Sequence, residues 1–400
     1  MKSTPLFRES QFRLLFLGRT VSFLGNAVAP VALAFAVLDL TGSKSDLGLL
    51  LAARSLPQVF FVLVGGALSD RLPRHHVMVA SSIVSGLSQA AIALLLLSHH
   101  AQLWHLIVLS VVNGSASAFF FPASSGVIPQ TVSRELLQQA NALLRLVQNG
   151  TLIVGAAVGG IAVAAVGPGW AIAFDGVTFL SGAIFIGAMS VQAAQREEVT
   201  TFIGELREGW REFRGRTWLW AIVLQFSFVN AASSGGQNVL GPVVAKEKLG
   251  GAAAWGAILA AESVGLVLGG VVALRFRPRR MLLVATFGIL LLPIVLIALA
   301  VPAPVPVIMA TAFVAGIGIE TFGVLWDTTM QQEIPQAKLS RVYAYDMFGS
   351  IMFVPIGLAV AGPLAQAIGV RNTLWAAFAG IEVVTLAVLA VPEVRNLTRR

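Results

Sequence analysis

The sequence predicts an all-α membrane protein of twelve transmembrane helices, arranged as two related six-helix bundles. Three observations lead there. Hydrophobic residues fill 56% of 400 positions and charged residues 12%, with a mean hydropathy of +0.83, far from a soluble composition. At ~20 residues per span plus short loops, a chain of this length holds about twelve helices. The chain also repeats itself at an offset of about 205 residues. Residues 65–76 read GGALSDRLPRHH and residues 269–280 read GGVVALRFRPRR, with Pro73 answered by Pro278. Ile128-Pro129-Gln130 returns as Ile334-Pro335-Gln336, and Ser22-Phe23 with Asn26 returns as Ser227-Phe228 with Asn230.

Taken in order, apolar runs near 12–40, 47–68, 77–98, 103–121, 140–165 and 170–191 make the first bundle, residues 1–191. Residues 192–216 form the one extended charged stretch. Phe202, Leu206, Trp210 and Phe213 recur there at helical spacing opposite Glu205, Glu208, Arg211 and Glu212, which predicts an amphipathic linker helix on the cytoplasmic interface. Runs near 217–245, 252–274, 281–301, 305–327, 340–367 and 373–391 make the second bundle, residues 217–400.

The net charge of +8 is explained by placement rather than by nucleic acid. Of 27 Lys and Arg, 20 fall in loops on the side of the N-terminus, four on the other side, and Arg19, Arg54 and Arg145 within spans. The positive-inside rule then puts both termini in the cytoplasm of a cell-membrane protein, with the first helix retained. Without cysteine there is neither a disulfide nor a thiolate metal site. No phosphate-cradling loop is present, so ATP is not the power source, and neither an enzyme nor a cofactor is expected.

Charges inside spans are expensive and each needs an account. Arg19 and Arg145 lie close enough to the cytoplasmic ends to snorkel to the headgroups. Arg54 is deeper and wants a partner, which Asp39 or Asp46 could supply. Glu262 is followed by Gly265 and Gly269 at i+3 and i+7, so its face packs against another helix. Glu320 shares a small, polar stripe with Gly316, Gly323 and Asp327. Both acids read either as proton carriers or substrate contacts, or as neutral packing residues bonded to backbone; Glu382, on the last span, reads more simply as packing. The amides Asn26, Asn113, Gln148, Asn230 and Gln237 need partners or cavity water, and are candidates to line a substrate cavity. Residues 230–241, rich in Ser and Gly, are a poor helix and should unwind locally beside a cavity.

The hinge at 65–76 carries a resemblance. Gly66, Leu68, Asp70, Arg71 and Arg74 resemble the loop between helices 2 and 3 of the major facilitator superfamily, with Pro73 in place of the usual glycine and His75 in place of a basic residue. Residues 140–143 followed by 155–160 are similar to helix 5 of twelve-helix drug exporters, with Ala156 replacing a proline. Pro355, Gly357 and Gly362-Pro363 resemble the macrolide and siderophore exporters. Ser110 stands where many proton antiporters carry an arginine four residues before a glycine, here Gly114.

The resemblance implies two bundles related by an axis along the membrane normal, with a small-molecule substrate between them. It implies a conformational switch at Gly66, Asp70, Arg71 and Arg74, in which Asp70 caps a helix beginning near Ser340 in the other half. It also puts Glu320 on the cavity wall, ahead of Glu262 as the proton-coupling residue. The expected function is proton-coupled efflux of amphipathic organic compounds by alternating access, in a lipid bilayer and with no obligate protein partner. A metabolite importer or facilitator, and a membrane sensor or scaffold without flux, are the alternatives.

Overall fold

The computed structural model describes residues 5–69, 73–133, 136–191, 202–275, 278–301 and 303–398, and contains helices and no strand among them. Nine helical runs in these residues are long and apolar enough to cross a membrane. The other three expected spans are helices too. They are Lys44–Ser69, Leu137–Val166 and Thr217–Ser233, the last continuing as a π-helix over Ser234–Leu240.

The chain divides into two compact units, residues 1–195 with 251–260, and residues 196–250 with 261–400. The first contains α1 (Ser10–Thr41), α2 (Lys44–Ser69), α3 (Arg74–Leu97), α4 (Leu103–Val127), α5 (Leu137–Val166) and α6 (Pro168–Gly187). Between membrane helices lipid offers no hydrophobic driving force, so small residues that allow close backbone approach set the pairings. Gly18, Ser22 and Gly25 of α1 face α6: a Cβ on Gly18 would stand 3.1 Å from the Gly182 carbonyl, and one on Gly25 would overlap Asp175 and Thr178. Gly114 of α4 lies on the backbone of α2 at Arg54, and Gly155 and Gly159 of α5 lie on Ala27 and Val28 of α1. Gly160 meets Gly256 so closely that an added Cβ would be 2.9 Å from the Gly256 Cα. At one end of this unit Leu6, Phe12, Leu15, Val77, Met78, Val127, Ile128 and Met189 form an apolar cluster.

The second unit contains α7 (Phe202–Arg214), α8 (Thr217–Ser233), α9 (Gly241–Val244), most of α10 (Ala252–Arg275), α11 (Met281–Ile289), α12 (Ile294–Ala300), α13 (Val305–Glu333), α14 (Gln336–Ile351), α15 (Val354–Ile368), α16 (Val370–Leu389) and α17 (Pro392–Asn396). Two expected spans are interrupted: the third between α11 and α12 ahead of the Pro293 turn, and the fifth between α14 and α15. Proline has no N–H to continue the ladder, and Pro355 sits in the first turn of α15 where none is required. The fifth span also begins at Gln336, a turn earlier than expected. Residues 234–240 do not unwind. They widen into a π-helix continuous with α8 and α9, and Gly235 there approaches the Gly357 carbonyl of α15.

Helix α7 is seated on this unit by aromatics, with Trp210 and Phe213 at 5.6 and 5.9 Å from the Tyr345 ring of α14. Arg216 pairs with Glu212 and donates to the Glu333 carbonyl at 3.2 Å, tying the linker to the end of α13. The first turn of α8 is closed by Glu393 of α17, whose carboxylate accepts from the Trp218 N–H at 3.0 Å.

Candidate functional site

The expected cavity amides do not all meet. Asn26 of α1 and Gln148 of α5 do, on the wall of a cavity of about 240 Å³ inside the first unit. Phe23, Phe120 and Phe179 supply its apolar surface, and Gln58 and Thr151 add polar atoms. Asn113 stands off this lining. It is 1% exposed and donates to Ser88 Oγ at 3.4 Å, which makes it a bond between α4 and α3.

Two arginines open into the same cavity. Arg19, which the sequence assigns to the headgroups, instead lies over the Phe23 ring at 5.1 Å, with a buried Nε that no described group accepts from. Arg54 does not find Asp39 or Asp46. Its electrostatic partner is Asp175 of α6, which is fully buried and accepts a hydrogen bond from Gln89 Nε2 of α3. Asp175 is the residue that sequence reasoning missed. The signal was present, an aspartate within the apolar run of the sixth span.

In the second unit the structure brings together one acid and one amide from the predicted set. Gln237 projects from the π-helical stretch and donates to Glu262 Oε2 of α10 at 3.2 Å. Glu262 sits where α10 and α13 are in backbone contact, because a Cβ on Gly316 would overlap the Glu262 carbonyl and one on Gly265 the Phe313 carbonyl. Glu320 packs on the next turn, 3.0 Å from a Cβ added to Gly269. In the stripe expected around Glu320, a Cβ on Gly323 would meet nothing within 4 Å.

A second polar group lies along α13 and α14. Asp346 accepts from Trp326 Nε1 at 3.1 Å and from Ser350 Oγ at 3.4 Å, while Tyr343 donates to Asp327 Oδ1 at 3.0 Å. Asn230 of α8 donates to the Ser350 carbonyl at 2.9 Å, so it fixes α8 to α14. Phe226 and Phe322 stack beside this group at 4.3 Å.

Of the residues expected to form a switch, Gly66 falls in the last turns of α2 and Arg74 opens α3. Asp70 and Arg71 lie outside the described residues. Among the described residues no group of three or more metal-ligating side chains is present.

A sequence model of the Major Facilitator Superfamily matches residues 15–351. The chain is 27% identical to the multidrug efflux pump Tap of Mycolicibacterium fortuitum, over 96% of each chain. It is 22% identical to macrolide efflux protein A of Streptococcus pyogenes, over 97% of each. Among solved structures, the nucleoside transporter NupG superposes with a TM-score of 0.77 at 12% identity, covering 95% of this chain and 98% of that one. A bacterial homologue of the lysosomal transporter Spinster gives 0.76 at 15% identity, over 98% of both.

Proposed function

The chain belongs to the major facilitator superfamily, and from that premise we propose that it is a secondary active transporter that exports amphipathic small organic molecules in exchange for protons. The relatives' efflux names support the direction. The observation that carries the coupling is the Gln237–Glu262 hydrogen bond at the π-helical stretch of α8. A carboxyl packed between helices is far cheaper neutral than charged unless something compensates it, so its protonation follows whatever its neighbours offer. Here the neighbour is an amide on a helix segment whose wider turn can return to α geometry. A change of register there carries Gln237 toward or away from Glu262 and alters the cost of holding a proton on it.

On this geometry we rank Glu262 first and Glu320 second, the reverse of the order the sequence suggests. One proton crossing 100 mV yields about 2.3 kcal/mol, enough to hold a neutral substrate at a roughly 50-fold gradient. The test is transport into inside-out vesicles under an imposed proton gradient. Glu262→Gln is expected to abolish uphill accumulation while sparing downhill exchange, with Glu320→Gln giving a partial loss. Full uphill accumulation by the double variant would remove both acids from the coupling step.

A further inference from the structure

The cavity in the first unit has a chemistry that the efflux reading does not specify. Its described lining holds two guanidinium groups and no carboxylate. Asp175 acts on Arg54 through its field, without a direct ion pair, and it is not part of the wall. Arg19 has no acidic partner among the described residues, and its Nε is buried without an acceptor. A guanidinium carries five donors in a planar fork and cannot shed its charge, so a site of low dielectric leaves it uncompensated until an anion arrives. Around it Phe23, Phe120 and Phe179 offer ring faces, and Asn26 and Gln148 offer neutral donors and acceptors.

We infer that this cavity binds a small organic acid, with its anionic group at Arg19 and its ring or apolar body against the phenylalanines; the inference names a cargo class for the transport reading and rests on it. Size agrees with the chemistry. An apolar cavity of about 150 Å³ admits benzene, so about 240 Å³ has room for a substituted or fused aromatic ring that bears one acidic group. An organic cation meets the charge of Arg19 with no carboxylate on the wall to offset it. A neutral molecule gains the phenylalanines but leaves Arg19 as it was.

Equilibrium binding to the full-length protein in phosphatidylcholine nanodiscs tests this with three probes of one shape: 2-naphthoate, its neutral amide 2-naphthamide, and the cation 2-naphthylmethylammonium. The acid is expected to bind about 10- to 100-fold more tightly than the amide, the difference a charge-assisted hydrogen bond makes in a buried site. The ammonium is expected to bind more weakly than either. Arg19→Gln should bring the acid down to the amide's affinity, and Arg19→Lys should keep the acid ahead. Equal affinity for acid and amide, tighter binding of the ammonium, or full naphthoate affinity in Arg19→Gln each overturns the inference. The comparison of acid with amide needs no variant, so it decides even if the substituted proteins do not fold. Flux of 2-naphthoate into inside-out vesicles separates the two readings. Naphthoate bound but never moved leaves the site standing and sinks the transport reading, whereas export of another compound by a protein that ignores naphthoate sinks the site alone.

Discussion

At the scale of single residues the first unit is held by a charge relationship that crosses three helices. Asp175 of α6 is fully buried, takes a hydrogen bond from Gln89 of α3, and lies in the field of Arg54 of α2. Its Oδ1 has no donor among the described residues, and Arg54 acts on the carboxylate through its field rather than by a direct ion pair. Removing one of two opposite charges that offset each other leaves the other less compensated. Asp175→Ala is therefore expected to lower the thermal midpoint of the purified protein steeply, and Arg54→Ala similarly. The two together should cost less than the sum of the single changes. Additive losses would show that the two charges do not depend on each other. The need for a partner was legible from the depth of Arg54 in its span. Which partner was not: Asp46 lies eight residues away on the same helix, about 12 Å along the axis and out of reach. Gly25 seats α1 against Asp175 and Gly114 seats α4 on the backbone of Arg54, and contacts made through packing leave no local trace of which groups they bring near.

At the scale of elements, glycine spacing was the more readable signal. Gly265 and Gly269, three and seven residues past Glu262, predicted a packed face, and the structure sets that face on the Gly316 turn of α13. A side chain on Gly316 would overlap the Glu262 carbonyl, so Gly316→Val must push α10 and α13 apart beside the proposed coupling acid. Overpacking of this kind costs about 1–3 kcal/mol. The variant is expected to melt earlier and to transport poorly, whereas Gly323→Ala, which meets nothing within 4 Å, should behave as the parent. Equal behaviour of the two in melting and flux would mean that the α10–α13 contact is not tight in the working protein. What periodicity could not supply was the state of the weak segments. Residues 234–240 combine Ser, Gly and amides, which argues against a regular α-helix but does not distinguish an unwound loop from a π-helix. The choice came from tertiary contacts, because Gly235 and Gly357 let α8 and α15 approach closely while the backbone stays hydrogen-bonded.

At the scale of the whole molecule, each unit sorts its own helix ends. In the first, the start of α1, the start of α3 and the ends of α4 and α6 meet in the cluster of Phe12, Val77, Val127 and Met189, while His99 lies at the far end of α3. In the second, Arg216 bonded to Glu333 and Trp218 bonded to Glu393 gather the linker, the end of α13 and α17 at one end. Arg74 opens α3 at the first set of ends, and we propose the hinge at 65–76 as the conformational switch of the transport cycle. A group that acts only when the transporter changes facing is read by turnover and not by affinity. Asp70→Asn should thus slow transport several-fold more than it weakens binding or expression, and unchanged turnover would reduce Asp70 to a topology signal. Orientation is the remaining proposal. The 20 basic residues on the side of the N-terminus assign those ends to the cytoplasm. Because the chain has no cysteine, single cysteines report without background. An impermeant thiol reagent applied to intact cells is expected to label positions 99 and 302, and to reach 71, 205 and 279 only after the membrane is opened. Positions 205 and 395 must behave alike, since α7 and α17 are bound to the same end of their unit. Labelling of both from outside would invert the molecule in the membrane, and the vesicle experiments above would then be measuring uptake.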